Sequence, residues 1–233
     1  VSGVPGAAPP STVAPLDALF DSRRSQTPYV TYAFLGLCLL VTLPTLAFPR
    51  LYDVFGGIEP RRYPWQVFTA AFEHGWPGFH GAIHLALNTF LILECGRPCE
   101  RLLGSRAFLT LCLLSLLANA AVLSLTEGVN GSSLVIWSWG PPLFVALRWA
   151  RRSDPAVTHR GSFARVRGVL VLMYGVIVVA MAALPYLFGW RGNPLVALAI
   201  GNLYHGVATA VGVGFALVAA GHIHKRLATP GTA

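Results

Sequence analysis

The stretch Gly192-Asn-Pro-Leu-Val-Ala-Leu-Ala-Ile-Gly-Asn202-Leu-Tyr-His205-Gly-Val-Ala208-Thr-Ala-Val-Gly212-Val-Gly-Phe-Ala216-Leu-Val-Ala-Ala220-Gly-His-Ile-His224 contains no Asp, Glu, Lys or Arg. A helix crossing a bilayer needs about 20 apolar residues, each rising about 1.5 Å. This stretch exceeds that length. Five others are equally free of charge: Ser25 to Pro49, His74 to Leu93, Ala107 to Thr126, Gly128 to Leu147 and Gly168 to Trp190. The spacing predicts six membrane-spanning helices joined by short connections. No long alternating strands occur, which excludes a transmembrane barrel.

Composition agrees. Of 233 residues, 55% are hydrophobic and 11% charged, whereas ordinary soluble domains carry about 25% charged residues. So few charges do not cover a water-facing surface. A soluble enzyme, a nucleic-acid-binding domain and a disordered chain are thereby excluded. The fold class expected is an all-α membrane protein. Its first charge-free stretch is too long and too far from residue 1 for a cleaved signal peptide, and reads as a retained span.

The 17 basic residues set the orientation. With a cytoplasmic N-terminus, Arg23, Arg24, Arg97, Arg101, Arg106, Arg148, Arg151, Arg152, Arg160, Arg165, Arg167, Lys225 and Arg226 lie inside. Arg50, Arg61, Arg62 and Arg191 remain outside. The positive-inside rule thus places both termini in the cytoplasm, most simply at the plasma membrane. Topology and anionic lipid account for the net charge of +8, so no nucleic-acid partner is implied. Residues 1–28, rich in Pro, Ala, Ser and Gly, read as a flexible cytoplasmic tail, residues 29–224 as the membrane domain, and 225–233 as a short cytoplasmic tail. The segment from Arg50 to Gly81 carries Trp65, Phe68, Phe72, Trp76 and Phe79, and is expected to be a structured loop at the interface. Cys38, Cys95, Cys99 and Cys112 read as structural thiols; no further ligand stands at metal spacing, and no metal or cofactor is expected.

Polar residues inside spans are costly, and so informative. His84 and Asn88 lie four apart, on one helix face. The fourth stretch contains Gly131-Ser132-Ser133-Leu134, and the sixth Asn202-Leu-Tyr-His205. Spans two, four and six all run from outside to inside, which puts His84, Ser133 and His205 at comparable depth. Taken singly, a His or Ser within a span serves helix packing as readily as chemistry. Together they suggest a mechanism: a serine needs a base to take its proton, and His is suited to that near neutral pH. An amide, a His and the backbone N–H of the serine can hold an oxyanion.

These motifs resemble the rhomboid family of intramembrane serine proteases. Trp65-Gln-Val-Phe-Thr-Ala-Ala-Phe-Glu-His74 resembles the family's first-loop motif, and His84-x-x-x-Asn88 its second-helix pair. Gly96-x-x-x-Glu100-x-x-x-Gly104 resembles the segment closing that helix, Gly131-Ser132-Ser133 the start of the nucleophile motif, and His205 with Gly212 the sixth-helix pattern. The resemblance implies a six-transmembrane-helix rhomboid-like bundle cleaving transmembrane protein substrates in the lipid bilayer. Ser133 would be the nucleophile and His205 its base; His84, Asn88 and the Ser133 N–H would form the oxyanion hole. Gly131, Trp137 and Asn202 would support them, Trp137 by packing on the His205 ring. The chain departs from the family at Gln66, at Ala208 and above all at Leu134, where the pattern has a second glycine. Leu134 favours the alternative, a catalytically weak or inactive rhomboid-like pseudoprotease that binds membrane proteins. Pro141 and Pro142 are expected to break the fourth helix about two turns after Ser133. The oligomeric state stays open.

Overall fold

The structure is a computed structural model, and it describes residues 27–56, 59, 61–74, 79–125, 131–153, 155–159, 161–179 and 193–228. Among these residues every regular element is helical. Among the described residues three helices are long and apolar enough to cross a membrane: α1 (Tyr29–Ala47), α6 (Ser105–Leu123) and the Asn202–Leu227 part of α10 (Pro194–Ala228). Nineteen helical residues span about 28 Å, close to the hydrocarbon thickness. Their outward faces are apolar: Leu37, Leu40 and Leu43 on α1, Leu113 and Leu117 on α6, and Leu217 and Val218 on α10 are exposed. Such a surface needs lipid rather than water around it. The chain is an all-α membrane protein.

The remaining helices are α2 (Tyr52–Phe55), α3 (Gln66–Thr69), α4 (Phe79–Leu91), α5 (Arg97–Leu103), α7 (Ser133–Ile136), α8 (Gly140–Ser153) and α9 (Gly161–Val171). Several join end to end. A π-helical turn, Ile92–Gly96, links α4 to α5 immediately before Pro98, and a 3-10 turn, Trp137–Trp139, links α7 to α8. The expected break lies just before Pro141 and Pro142: α7 ends at Ile136, a 3-10 turn covers Trp137–Trp139, and α8 begins at Gly140. Both prolines fall in the first turn of α8, where a missing N–H interrupts no bond within that helix. The tighter 3-10 turn absorbs the mismatch. Two carbonyls would still lose their helical donors, those of Trp137 and Ser138. The Tyr174 hydroxyl donates to the Trp137 carbonyl at 2.6 Å. The Ser138 carbonyl instead lies against Gly212 of α10, where a Cβ would collide with it.

That contact fixes how α10 packs. Ala208 and Ala216 are buried on either side of Gly212, so small residues at four-residue spacing bring α10 onto the backbone of α7 and α8. The buried core around them includes Phe108, Trp139, Leu143 and Ile92. Trp139 meets Phe34 of α1 at 5.5 Å and Phe108 of α6 at 5.1 Å between ring centroids.

A buried carboxylate ties α1 to α5. Glu100 accepts from the backbone N–H of Val30 at 3.0 Å and of Thr31 at 2.8 Å, from the Thr31 hydroxyl at 2.8 Å and from Ser105 at 2.7 Å. It thereby caps the N-terminus of α1, where orphan donors and the helix dipole both favour an anion. The loop after α1 is ordered in the same manner. Gln66 is fully buried, accepts from Glu59 N–H at 2.9 Å and donates to the Asp53 carbonyl at 2.7 Å. Trp65 donates to Val54 and Thr69 to Phe55.

Of the six stretches read from the sequence, residues 75–78 of the second (with Trp76), 126 of the third, 128–130 of the fourth, 180–190 of the fifth and 192 of the sixth lie outside the described residues, as do most of the proposed tail at 1–28 and residues 229–233. Replacing Glu100 by Ala leaves two buried N–H groups and two hydroxyls without their acceptor. We expect a loss of about 3 kcal/mol of stability, with Glu100→Gln losing less. Thermal unfolding of the detergent-solubilised protein measures both, and an unchanged midpoint in Glu100→Ala would remove the cap from the account.

Candidate functional site

The site forms where the loop after α3, helix α4, the start of α7 and helix α10 meet. Gly131 begins it. Its φ of +112° lies in the region that glycine alone enters freely, and its N–H donates to the Ala70 carbonyl at 2.7 Å, pinning the start of α7 to the loop. The α-face of Gly131 lies against the second-helix pair. A Cβ there would stand 2.6 Å from His84 Cε1, 2.9 Å from His84 Nε2 and 3.7 Å from Asn88 Nδ2. Helical spacing puts His84 and Asn88 on one face of α4, and Gly131 gives the room for both to face it.

Asn88 is buried, and its Nδ2 has no hydrogen-bond partner among the described residues. An amide N–H kept from water without a partner is costly. His84 Nδ1 lies 3.0 Å from the His74 carbonyl. A carbonyl only accepts, so Nδ1 carries the proton, and in the neutral ring Nε2 is an acceptor toward Gly131. His84 therefore donates to an oxyanion only as imidazolium.

Two serines follow, with different surroundings. Ser132 is fully buried and hydrogen-bonded to His74, Oγ to Nε2 at 2.7 Å, and its own N–H points at the same nitrogen at 3.3 Å. The Nδ1 of His74 lies 3.1 Å from the Phe72 carbonyl and 3.0 Å from the Thr42 hydroxyl, which itself donates to Phe72. That environment places the His74 proton on Nδ1 and makes Ser132 the donor. Ser133 is half-buried, at the first position of α7, and neither its hydroxyl nor its N–H has a partner among the described residues.

His205 comes from α10. Its ring stacks on Trp137, with centroids 4.3 Å apart and planes 11° from parallel, and Trp137 meets Tyr174 edge-on at 4.8 Å. Nδ1 of His205 lies 3.4 Å from Asn202 Oδ1, one turn earlier, an orientation that leaves Nε2 as the basic nitrogen. Among the described residues no hydrogen bond joins His205 to Ser133. The hydroxyl–imidazole pair that is formed is Ser132 with His74. Sequence reasoning passed over that pair because its members lie 58 positions apart. The sequence signal was that His74 lies within the aromatic loop, at the end of the Trp65–His74 run. Leu134, buried, has its carbonyl taken by Ser115 at 3.3 Å and by Asn119 Nδ2.

No three His, Cys, Asp or Glu side chains converge as metal ligands among the described residues. The four cysteines are buried and free.

Comparison with known proteins corrects the family reading. The chain is similar to the protoheme IX farnesyltransferase of Ralstonia nicotianae, 34% identical over 90 residues, a match covering 35% of this chain and 25% of the relative. The chain thus matches about a quarter of that protein's length. No family model matches the chain, and no solved structure matches it. The similarity found is to a farnesyltransferase and none is to a rhomboid protease. The rhomboid identification, the serine endopeptidase activity and the accompanying pseudoprotease reading are accordingly withdrawn.

Gly131→Ala combines an unfavourable φ with a Cβ inside the contact distance of the His84 ring. We expect a loss of about 2 kcal/mol, read as a lower thermal midpoint. A variant as stable as the parent would mean that His84 does not pack on this face.

Proposed function

We propose that the chain is a membrane-embedded group-transfer enzyme whose reacting centre is Ser133. It acts on an acyl ester dissolved in the bilayer and passes the acyl group to a hydroxyl or amine presented there by a lipid or a transmembrane protein. The observation that carries this reading is Asn88, a buried amide whose Nδ2 has no partner among the described residues, beside Gly131, which has no Cβ to press on it. Such a donor suits an oxyanion formed during reaction, because it needs no reorganisation when the charge appears.

In this proposal Ser133 Oγ attacks the carbonyl carbon of the donor and gives its proton to His205 Nε2. Asn88 Nδ2 and the Ser133 N–H hold the oxyanion, and His84 joins them when protonated. Collapse breaks the bond to the leaving group, which takes the proton from His205. The acceptor then attacks the Ser133 ester, and the same two proton transfers run in reverse order. Trp137, stacked on His205, fixes the ring plane. Asn202 sets the tautomer, and Gly131 supplies the space. Approach of Ser133 and His205 accompanies substrate binding, since catalytic hydrogen bonds commonly tighten only in the complex.

We further propose that the described helices and the remaining charge-free stretches make six spans, with both termini in the cytoplasm of a plasma-membrane protein and the 1–28 segment as a cytoplasmic tail. The basic-residue distribution supports this orientation. A reporter fused after Ala233 is expected to behave as cytoplasmic; an extracytoplasmic signal reverses the topology.

The comparison favours a second reading, transfer of an isoprenoid group, because the similar protein is a farnesyltransferase. Labelling with an alkyl fluorophosphonate separates the two. The acyl reading expects an adduct on Ser133 that is absent in Ser133→Ala, slowed about 100-fold in His205→Ala and retained in Ser132→Ala. An adduct that disappears with Ser132 instead moves the chemistry to the His74 pair. Absence of any adduct, together with transfer from farnesyl diphosphate that Ser133→Ala leaves intact, establishes the second reading.

A further inference from the structure

Far from Ser133, the turn between α5 and α6 and the end of α10 border an open cavity of about 500 Å³. Its walls are apolar at Leu103, Ala107 and Ala219, and its rim carries Arg106, Arg226 and His222. The Arg226 guanidinium reaches over the chain at Gly104, where a Cβ would stand 3.1 Å from its Nη2. Gly104 has a φ of +80° and forms the N-cap of α6.

The electrostatics of this place are one-sided. No side chain caps α6, because its N-cap is Gly104, and the Ser105 hydroxyl is turned to Glu100. The first helical bond is Phe108 N–H to the Gly104 carbonyl, so the donors before it point out of the helix end. The Arg226 guanidinium, with Arg106 in the first turn of α6, thus stands at the positive pole of a helix dipole, where like charges repel. The nearest acid, Glu100, is buried and occupied by Val30, Thr31 and Ser105. Among the described residues neither Arg106 nor Arg226 pairs with a carboxylate. His222 is turned to the Leu103 carbonyl at 3.2 Å and does not relieve the charge.

We propose that this cavity binds a phosphate ester, with its oxygens between the Arg106 and Arg226 guanidiniums and the α6 backbone donors. Arginine forks match phosphate oxygens in pairs, and a helix N-terminus supplies further donors. The apolar wall takes the carbon skeleton attached to the phosphate, which a bare inorganic ion does not use. Two sources carry this chemistry: an anionic glycerophospholipid and a soluble glycerol phosphate. The inference stands apart from the Ser133 reaction and survives its failure.

Native mass spectrometry of the full chain in detergent tests it, with phosphatidylglycerol or phosphatidylcholine added. Phosphatidylglycerol is expected to stay bound at least tenfold better than phosphatidylcholine. Arg106→Gln combined with Arg226→Gln should remove that preference, while the charge-keeping Arg226→Lys preserves most of it. As a control for net charge, Arg151→Gln with Arg152→Gln, exposed on α8, should leave it unchanged. Displacement by millimolar glycerol 3-phosphate identifies the soluble source, and resistance to it identifies the lipid. Equal retention of the two lipids, or a preference that the Arg106 and Arg226 changes leave intact, overturns the site.

Discussion

Two backbone carbonyls without helical donors govern the centre of this protein. Pro141 and Pro142 cannot give N–H groups to Trp137 and Ser138, and the interior of a membrane protein offers no water in their place. One carbonyl is met by the Tyr174 hydroxyl. The other is covered by α10, which comes close enough only because residue 212 lacks a side chain. That approach brings the His205 ring onto Trp137 two turns earlier in α10, so the candidate site inherits its geometry from a pair of prolines it does not contain. A larger residue at 212 would move the histidine before it touched any reacting group.

Much of the architecture was legible because bilayer physics writes it in a coarse alphabet. Charge-free length alone located α1, α6 and α10, and the aromatic density of the segment after α1 announced an ordered loop. What it could not announce was how that loop is held. Gln66 turns both ends of its amide to backbone groups at residues 53 and 59, a function open to any long neutral side chain with a donor and an acceptor. The prolines marked the interruption of the fourth stretch but not its form. Counting from Ser133 put them in mid-helix, whereas a 3-10 turn resets the register and makes them first-turn residues.

The candidate site was legible in its members and less so in its pairings. His84, Asn88, Gly131, Trp137 and His205 do gather around the start of α7 and its partner helix. Yet the serine that holds a histidine is Ser132, and its partner belongs to the loop. Adjacent serines point in different directions on a helix, and nothing local says which of them faces which imidazole. The family resemblance failed for a related reason. Glycine, serine, histidine and asparagine at four-residue spacings are also what membrane helices use to pack and to satisfy one another. Short patterns of those residues recur without shared chemistry, and comparison of longer stretches led to a farnesyltransferase instead.

The four cysteines have a practical meaning. Each is buried among packed helices, and none is joined to another. Thiol reagents attack accessible thiolates, and burial in apolar surroundings withholds both accessibility and ionisation. The native chain is therefore a quiet background for site-directed probes: a single cysteine placed on an exposed position of α1 or α10 would carry a spin label or fluorophore without removal of the native four. The distance between one such label on α1 and another on α10 would report how these two helices sit in a lipid bilayer, with the wild-type interior left as it is.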